Sequence, residues 1–263
     1  MRNIEKAFLY LNSYQVNCKE NSIVSNIDPR AFILVTFVYL FSMLSLPLYQ
    51  TERLIWFAVY PILMAPMSNV KYSSLFYHSL IVLPFVVLIG IFNPVIDTRE
   101  AFKIGNMVIS IGWLSFFSII IRGLLSMQAL LLLIRNYGFI QICNSLRSFG
   151  CPKVLTVQLF LIYRFVGVLL EETINMKRAI ISRGYGKNTY SIKLWTRFIG
   201  SLFIRCLNRS KNIHYGMVSR GFEGSFPVKN NYHLGTRDYL FSISWIIISL
   251  FLHYFNLSQL FYL

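Results

Sequence analysis

Residues 31–49 form a run of nineteen positions without a single charge. A helix needs about 20 mostly apolar residues to cross the hydrocarbon core of a bilayer. Inside lipid the backbone finds no water, so only helices and closed barrels satisfy every N–H and C=O. The same pattern recurs at 54–67, kinked by Pro61 and Pro66 or extending to about residue 70. It recurs again at 75–92, interrupted only by His78, at 104–121, ending at Arg122, and at 239–255. The links at 46–53, 68–74 and 93–103 are short, and the last opens with the turn signal Asn93-Pro94. Long apolar segments joined by short links make antiparallel neighbours in a helical bundle. The expected fold is therefore all-α, a polytopic membrane protein with about five transmembrane helices. Composition agrees: 56% of the residues are hydrophobic and 13% charged, against about 45–50% and about 25% in an average soluble domain.

The net charge is +15. In a soluble chain this would suggest nucleic acid; here its distribution points elsewhere. Residues 135–237 hold sixteen of the twenty-five Lys and Arg residues and only Glu171, Glu172 and Glu223 as acids, a net +13. Cytoplasmic segments of membrane proteins are enriched in Lys and Arg, so this region is expected inside the cell and no nucleic-acid partner is expected. Counting spans back places the N-terminus inside as well. The expected division is a cytoplasmic N-terminal segment at 1–30, a four-helix transmembrane region at 31–123, a cytoplasmic helical region at 124–237, and a final transmembrane helix and tail at 238–263. The expected location is the inner (plasma) membrane. Residues 1–30 are polar and lack a signal-peptide pattern. Cys18, Cys143, Cys151 and Cys206 form no CxxC pair, and the last three belong to the segment expected in the reducing cytoplasm.

Three helices are legible in the basic region. Residues 124–149 are followed by the stop signal Gly150 and Pro152. Residues 152–182 begin with Pro and carry a helical face of Leu155, Leu159, Ile162, Val166, Leu169 and Leu170. Residues 193–219 repeat the style. These helices read as too charged to cross lipid comfortably and too apolar to be wholly solvated. Amphipathic helices at the membrane surface or against partners fit them best.

The second and third helices end alike. One closes in Ser182-Arg183-Gly184-Tyr185, the other in Ser219-Arg220-Gly221-Phe222. A glycine after a helix supplies the left-handed cap. The arginine before it complements the negative end of the helix dipole and can take a carboxylate bidentately. The aromatic beside it is a rigid apolar anchor. One Arg-Gly end is an ordinary helix cap; two copies sharing Ser, Arg, Gly and an aromatic suit a pair of similar partner subunits.

On these motifs the chain resembles the transmembrane T component of energy-coupling factor (ECF) transporters, whose coupling helices end in paired Ala/Ser-Arg-Gly motifs. Tyr163-Arg164 and Glu171-Glu172 before the first motif, Leu202, Arg205 and Arg209 before the second, and Asp28-Pro29-Arg30 at the first span fit the same pattern. The similarity touches most of residues 28–227. Phe92-Asn93-Pro94, Asp97 and the ending Gly221-Phe222-Glu223-Gly224 with Pro227 are most similar to the cobalt and nickel branch, the CbiQ-like proteins. The resemblance implies that residues 182–185 and 219–222 dock two ATP-binding (ABC ATPase) subunits. It also implies that the bundle and coupling helices hold a substrate-binding membrane subunit, and that the import of cobalt or nickel, or of a vitamin, is driven without catalysis by this chain. It implies no cofactor, and any metal site would lie on the substrate-binding partner.

Other signals carry less. Gly184–Thr189 glances at a phosphate-binding loop, but Ile181 stands where its first glycine belongs and Asn188 where Ser or Thr follows the lysine. His78, His214, His233 and His253 show no metal-ligand spacing, and His78 is expected to be hydrogen-bonded within the bundle. Arg122 reads as an interfacial arginine reaching for water, with pairing to an acid the alternative. Glu171 and Glu172 pair within their own helix, for instance with Arg178, or serve docking. A membrane-embedded enzyme acting on lipid is the competing class, but such enzymes cluster acids, and only ten acids occur here.

Overall fold

The computed structural model describes residues 24, 27–47, 51–96, 100–104, 107–183, 192–224 and 235–254. The described residues fall into two compact units. One is built on Cys18–Gly138 and Asn230–Leu263, the other on Phe139–Lys229.

The first unit is a bundle of apolar helices. Helix α1 (Pro29–Leu44) starts where Asp28 accepts a hydrogen bond from the Arg30 N–H at 2.9 Å, with Pro29 in the first turn. Both are favoured there, since a short polar acceptor serves an orphan N–H and proline has none to lose. The next apolar run is two helices, α2 (Thr51–Phe57) and α3 (Val59–Met67). Pro61 cannot donate to the Phe57 carbonyl four residues back. The Tyr39 hydroxyl of α1 donates to that carbonyl instead, at 3.0 Å, so the acceptor freed at the break expected from the prolines is satisfied by a neighbouring helix. Helix α4 (Tyr72–Ser79), a 3-10 turn (Leu80–Val82) and α5 (Leu83–Gly90) form one continuous rod. A short α6 (Asn93–Ile96) and an antiparallel hairpin, β1 (Glu100–Ile104) and β2 (Met107–Ser110), follow.

Helix α7 (Ile111–Ser148) is 38 residues long and broken only at Gly138. The expected fourth span at 104–121 is helical only from residue 111, since Ile104 and Met107–Ser110 belong to the hairpin, and from there it forms one element with the separate helix expected at 124–149. Residues 104–134 are uncharged apart from Arg122, so hydropathy alone does not say where along that run a span begins. Arg122 lies against the Leu44 carbonyl at the end of α1 and the Leu46 and Pro47 carbonyls just past it, and Tyr137 against the chain entering α1. The part of α7 antiparallel to α1 is therefore the stretch between those two residues. Helix α10 (Thr236–Tyr254) runs parallel to α1: Phe241 stacks on Phe32 at 6.1 Å, and the His253 ring faces the Ser42 carbonyl at 3.1 Å. Tyr60 of α3 stacks on Tyr39 at 4.3 Å and meets Trp245 edge-on at 5.0 Å. Gly90 and Gly123 let α5 and α7 approach closely; a Cβ at Gly123 would lie 2.7 Å from Val86.

The second unit comprises the last turns of α7, α8 (Lys153–Arg183) and α9 (Ile192–Val218). Gly150 and Pro152 separate α7 from α8 as expected, with Gly150 at φ +89°. Phe139 stacks on Tyr163 at 4.9 Å, and Glu172 of α8 pairs with Arg205 of α9 at 2.7 Å.

The all-α membrane reading holds, with the small hairpin the one addition among the described residues. Tyr72–Gly90, Ile111–Ser148 and Lys153–Arg183 are long and apolar enough to cross a membrane, and Pro29–Leu44 and Arg53–Met67 are shorter apolar helices. Lys153–Arg183 was expected to be too charged for this. Its charges gather at the C-terminal end, leaving only Lys153 and Arg164 in the first eighteen residues.

Candidate partner-docking site

Helix α9 carries Lys193, Arg197, Arg205, Arg209 and Lys211 and no acid. Phe198, Leu202, Cys206, Ile213 and Met217 are its half-buried residues, at spacings of four and seven, which keep one stripe of a helix on one side. Ile192, Trp195, Ile199, Phe203 and Leu207 remain exposed.

The tip of α9 is closed by its glycine. Gly221 takes φ +76°, its N–H bonds the Val218 carbonyl at 3.0 Å, and the Phe222 N–H bonds the Met217 carbonyl at 3.0 Å. These paired bonds satisfy carbonyls that the helix end would otherwise orphan. The Ser219 hydroxyl turns back to the Gly216 carbonyl at 3.3 Å. Arg220 is left exposed as the last residue before the cap, and Phe222 is half-buried. The matching end of α8 places Ser182 and Arg183 at its exposed last positions; Gly184 and Tyr185 lie outside the described residues. Neither Arg183 nor Arg220 has an ion-pair partner among the described residues.

The runs upstream of the two motifs meet. Glu172 takes its partner from the opposite helix, Arg205, rather than from its own helix, which was one of the two expectations for it. A residue six positions along a helix is rotated far from Glu172, whereas α9 brings a guanidinium directly across. The pair is solvent-facing, with side chains 29% and 62% exposed, so its contribution is under about 1 kcal/mol; it sets register more than stability. From that crossing, at a rise of about 1.5 Å per residue, the arm to Arg183 is about 16 Å long and the arm to Arg220 about 22 Å.

Two features of the bundle were legible only as ends of segments. Arg122 is 8% exposed. Its guanidinium donates to the carbonyls of Leu44, Leu46 and Pro47 at 3.4, 2.8 and 2.9 Å. It caps α1 rather than reaching for water as expected. Asp238, 6% exposed, accepts from the N–H groups of Asp28 and Gly235 at 3.0 and 2.9 Å. Both are ionisable groups in or beside apolar runs, the sequence signal that marks structural or functional partners in membrane proteins. His78 bonds the Ser74 carbonyl at 2.6 Å, within the bundle as expected.

A bundle of apolar helices joined to a basic helical pair with two exposed arginine ends defines a membrane-embedded protein. The family model for CbiQ, cobalt transport protein, matches residues 20–234, and the chain belongs to that family, whose members are membrane components of transporters. It is 30% identical over 106 residues to the cobalt transport protein CbiQ of Salmonella typhimurium, a match spanning 40% of this chain and about half, 47%, of that protein. It is 27% identical over 221 residues to the energy-coupling factor transporter transmembrane protein EcfT of Leuconostoc gelidum subsp. gasicomitatum, covering 77% of this chain and 81% of that one. A protein of Methanocaldococcus jannaschii, MJ1571, is 24% identical over 97% of this chain and 91% of its own length.

Proposed function

We propose that this chain is the coupling subunit of an ECF-type importer. Two ATPase subunits hold the ends of α8 and α9 at residues 182–185 and 219–222, and a separate membrane subunit binds the substrate. The observation that supports this most directly is the repeated Ser-Arg-Gly end on two helices of one basic unit, with both arginines exposed. An exposed guanidinium at a helix end, beside an aromatic, is the chemistry that takes a carboxylate in a partner groove. In this reading the basic unit faces the cytoplasm, because a net +13 over residues 135–237 belongs on the inner side. The cargo is cobalt or nickel ion, recognised by the substrate-binding subunit; a vitamin is the alternative cargo, which uptake assays with each compound separate.

The test is co-purification and uptake. Arg183→Ala and Arg220→Ala are expected to weaken recovery of the ATPase subunits and lower uptake, with the double variant worse than either. A partner carboxylate left buried and unpaired makes each loss about 2–5 kcal/mol. Full recovery and full uptake in the double variant would remove the docking role.

A further inference from the structure

The chain leaves the bundle and comes back to it beside one short segment. On the way out, the Tyr137 hydroxyl lies 3.1 and 3.2 Å from the carbonyls of Val24 and Ile27 and shares its proton between them. Its ring packs on Phe32 at 5.3 Å. One residue earlier, the Asn136 amide donates to the Ser68 hydroxyl at 2.9 Å, where α3 ends. On the way back, Asp238 sits in the first turn of α10. One of its carboxylate oxygens takes the Gly235 N–H, closing the helix start on itself. The other takes the N–H of Asp28, the residue that caps α1. Exit and return are thus tied to the same base of α1, and Asp28, Ser68, Asn136, Tyr137 and Asp238 are all buried there.

Immediately beyond Tyr137 stands Gly138, at φ 68° and ψ 167°. That region is open essentially to glycine alone. It is the one non-helical residue in a 38-residue helix, and the boundary between the two units falls directly after it. The backbone is held firmly at 136 and 137 and is at its most permissive at 138.

We infer that the base of α1, gripped by Tyr137 and Asp238, is a fixed anchor, and that Gly138 is the pivot at which the basic unit turns when its partners move it. Tyr137 and Asp238 are positioning residues: they keep the bundle from absorbing a displacement that should reach the substrate-binding subunit. This rests on the coupling reading above.

The experiment uses the chain assembled with its ATPase and substrate-binding subunits in proteoliposomes. Spin labels at Leu130 and Ser148 straddle the pivot. The distance between them is expected to change between nucleotide-free and ATP-analogue-bound complexes. Gly138→Ala favours a continuous helix and is expected to hold one separation of about 27 Å. ATP hydrolysis should continue while cobalt(II) or nickel(II) moved per ATP falls about tenfold. Tyr137→Phe, which keeps the ring, and Asp238→Asn, which keeps one acceptor, should uncouple less than Asp238→Ala. A wild-type distance that ignores nucleotide overturns the pivot without any substitution. So does a Gly138→Ala complex with normal transport per ATP, even if it melts earlier. Failure of the wild-type chain to assemble with ATPase subunits would instead sink the coupling reading.

Discussion

Arg122 brings a cation into an apolar bundle without a carboxylate partner among the described residues. What makes this tolerable is the end of α1. The last carbonyls of a helix have no internal partner and carry the negative end of its dipole. Pro47, with no N–H and an unfavourable neighbour geometry, prevents the helix from simply continuing. A planar guanidinium spans three carbonyls where one ammonium would reach fewer. Arg122→Met should therefore leave buried acceptors unsatisfied and cost about 1–3 kcal/mol, and Arg122→Lys should recover only part of that. Thermal unfolding in nanodiscs checks it; equal melting temperatures for all three chains would refute the capping role.

At the scale of elements, α9 is a long basic rod whose last turn depends on one backbone geometry. Gly221 at φ +76° lets the 217–222 bonds form. An alanine there pays about 1 kcal/mol for the left-handed conformation, and the final turn frays in proportion. Gly221→Ala is expected to speed amide hydrogen exchange at residues 219–222 and to weaken ATPase recovery, while exchange around Phe198 and Leu202 stays as it was. Unchanged exchange at the tip would show that the cap does not depend on glycine. Gly150 uses the same geometry between α7 and α8, so both stops had a readable cause in the sequence. The hairpin at 100–110 also had a cue. Gly105-Asn106 between Ile104 and Met107 is a two-residue hairpin pattern, but it sits within a long apolar run that reads as a span.

For the whole molecule, the division into units matters more than the helix count. If the basic unit is cytoplasmic, cysteines placed at Arg183 and Arg220 should react with a membrane-impermeant maleimide in inside-out vesicles and be protected in intact cells. Labelling from outside would reverse the orientation. Sequence alone determined the all-α membrane class, the family, the repeated Ser-Arg-Gly motif and the concentration of charge in 135–237. Hydropathy, helix stops and charge bias are local properties, written in consecutive residues. Tertiary structure alone decided that Arg122 caps α1, that Glu172 pairs across to Arg205, that α7 runs unbroken through the expected boundary at 123 to Gly138, and that Asp28, Tyr137 and Asp238 share one node. Apart from the unbroken helix, each of these joins residues far apart in the chain, and an apolar run carries no mark of which neighbour will meet its few polar groups.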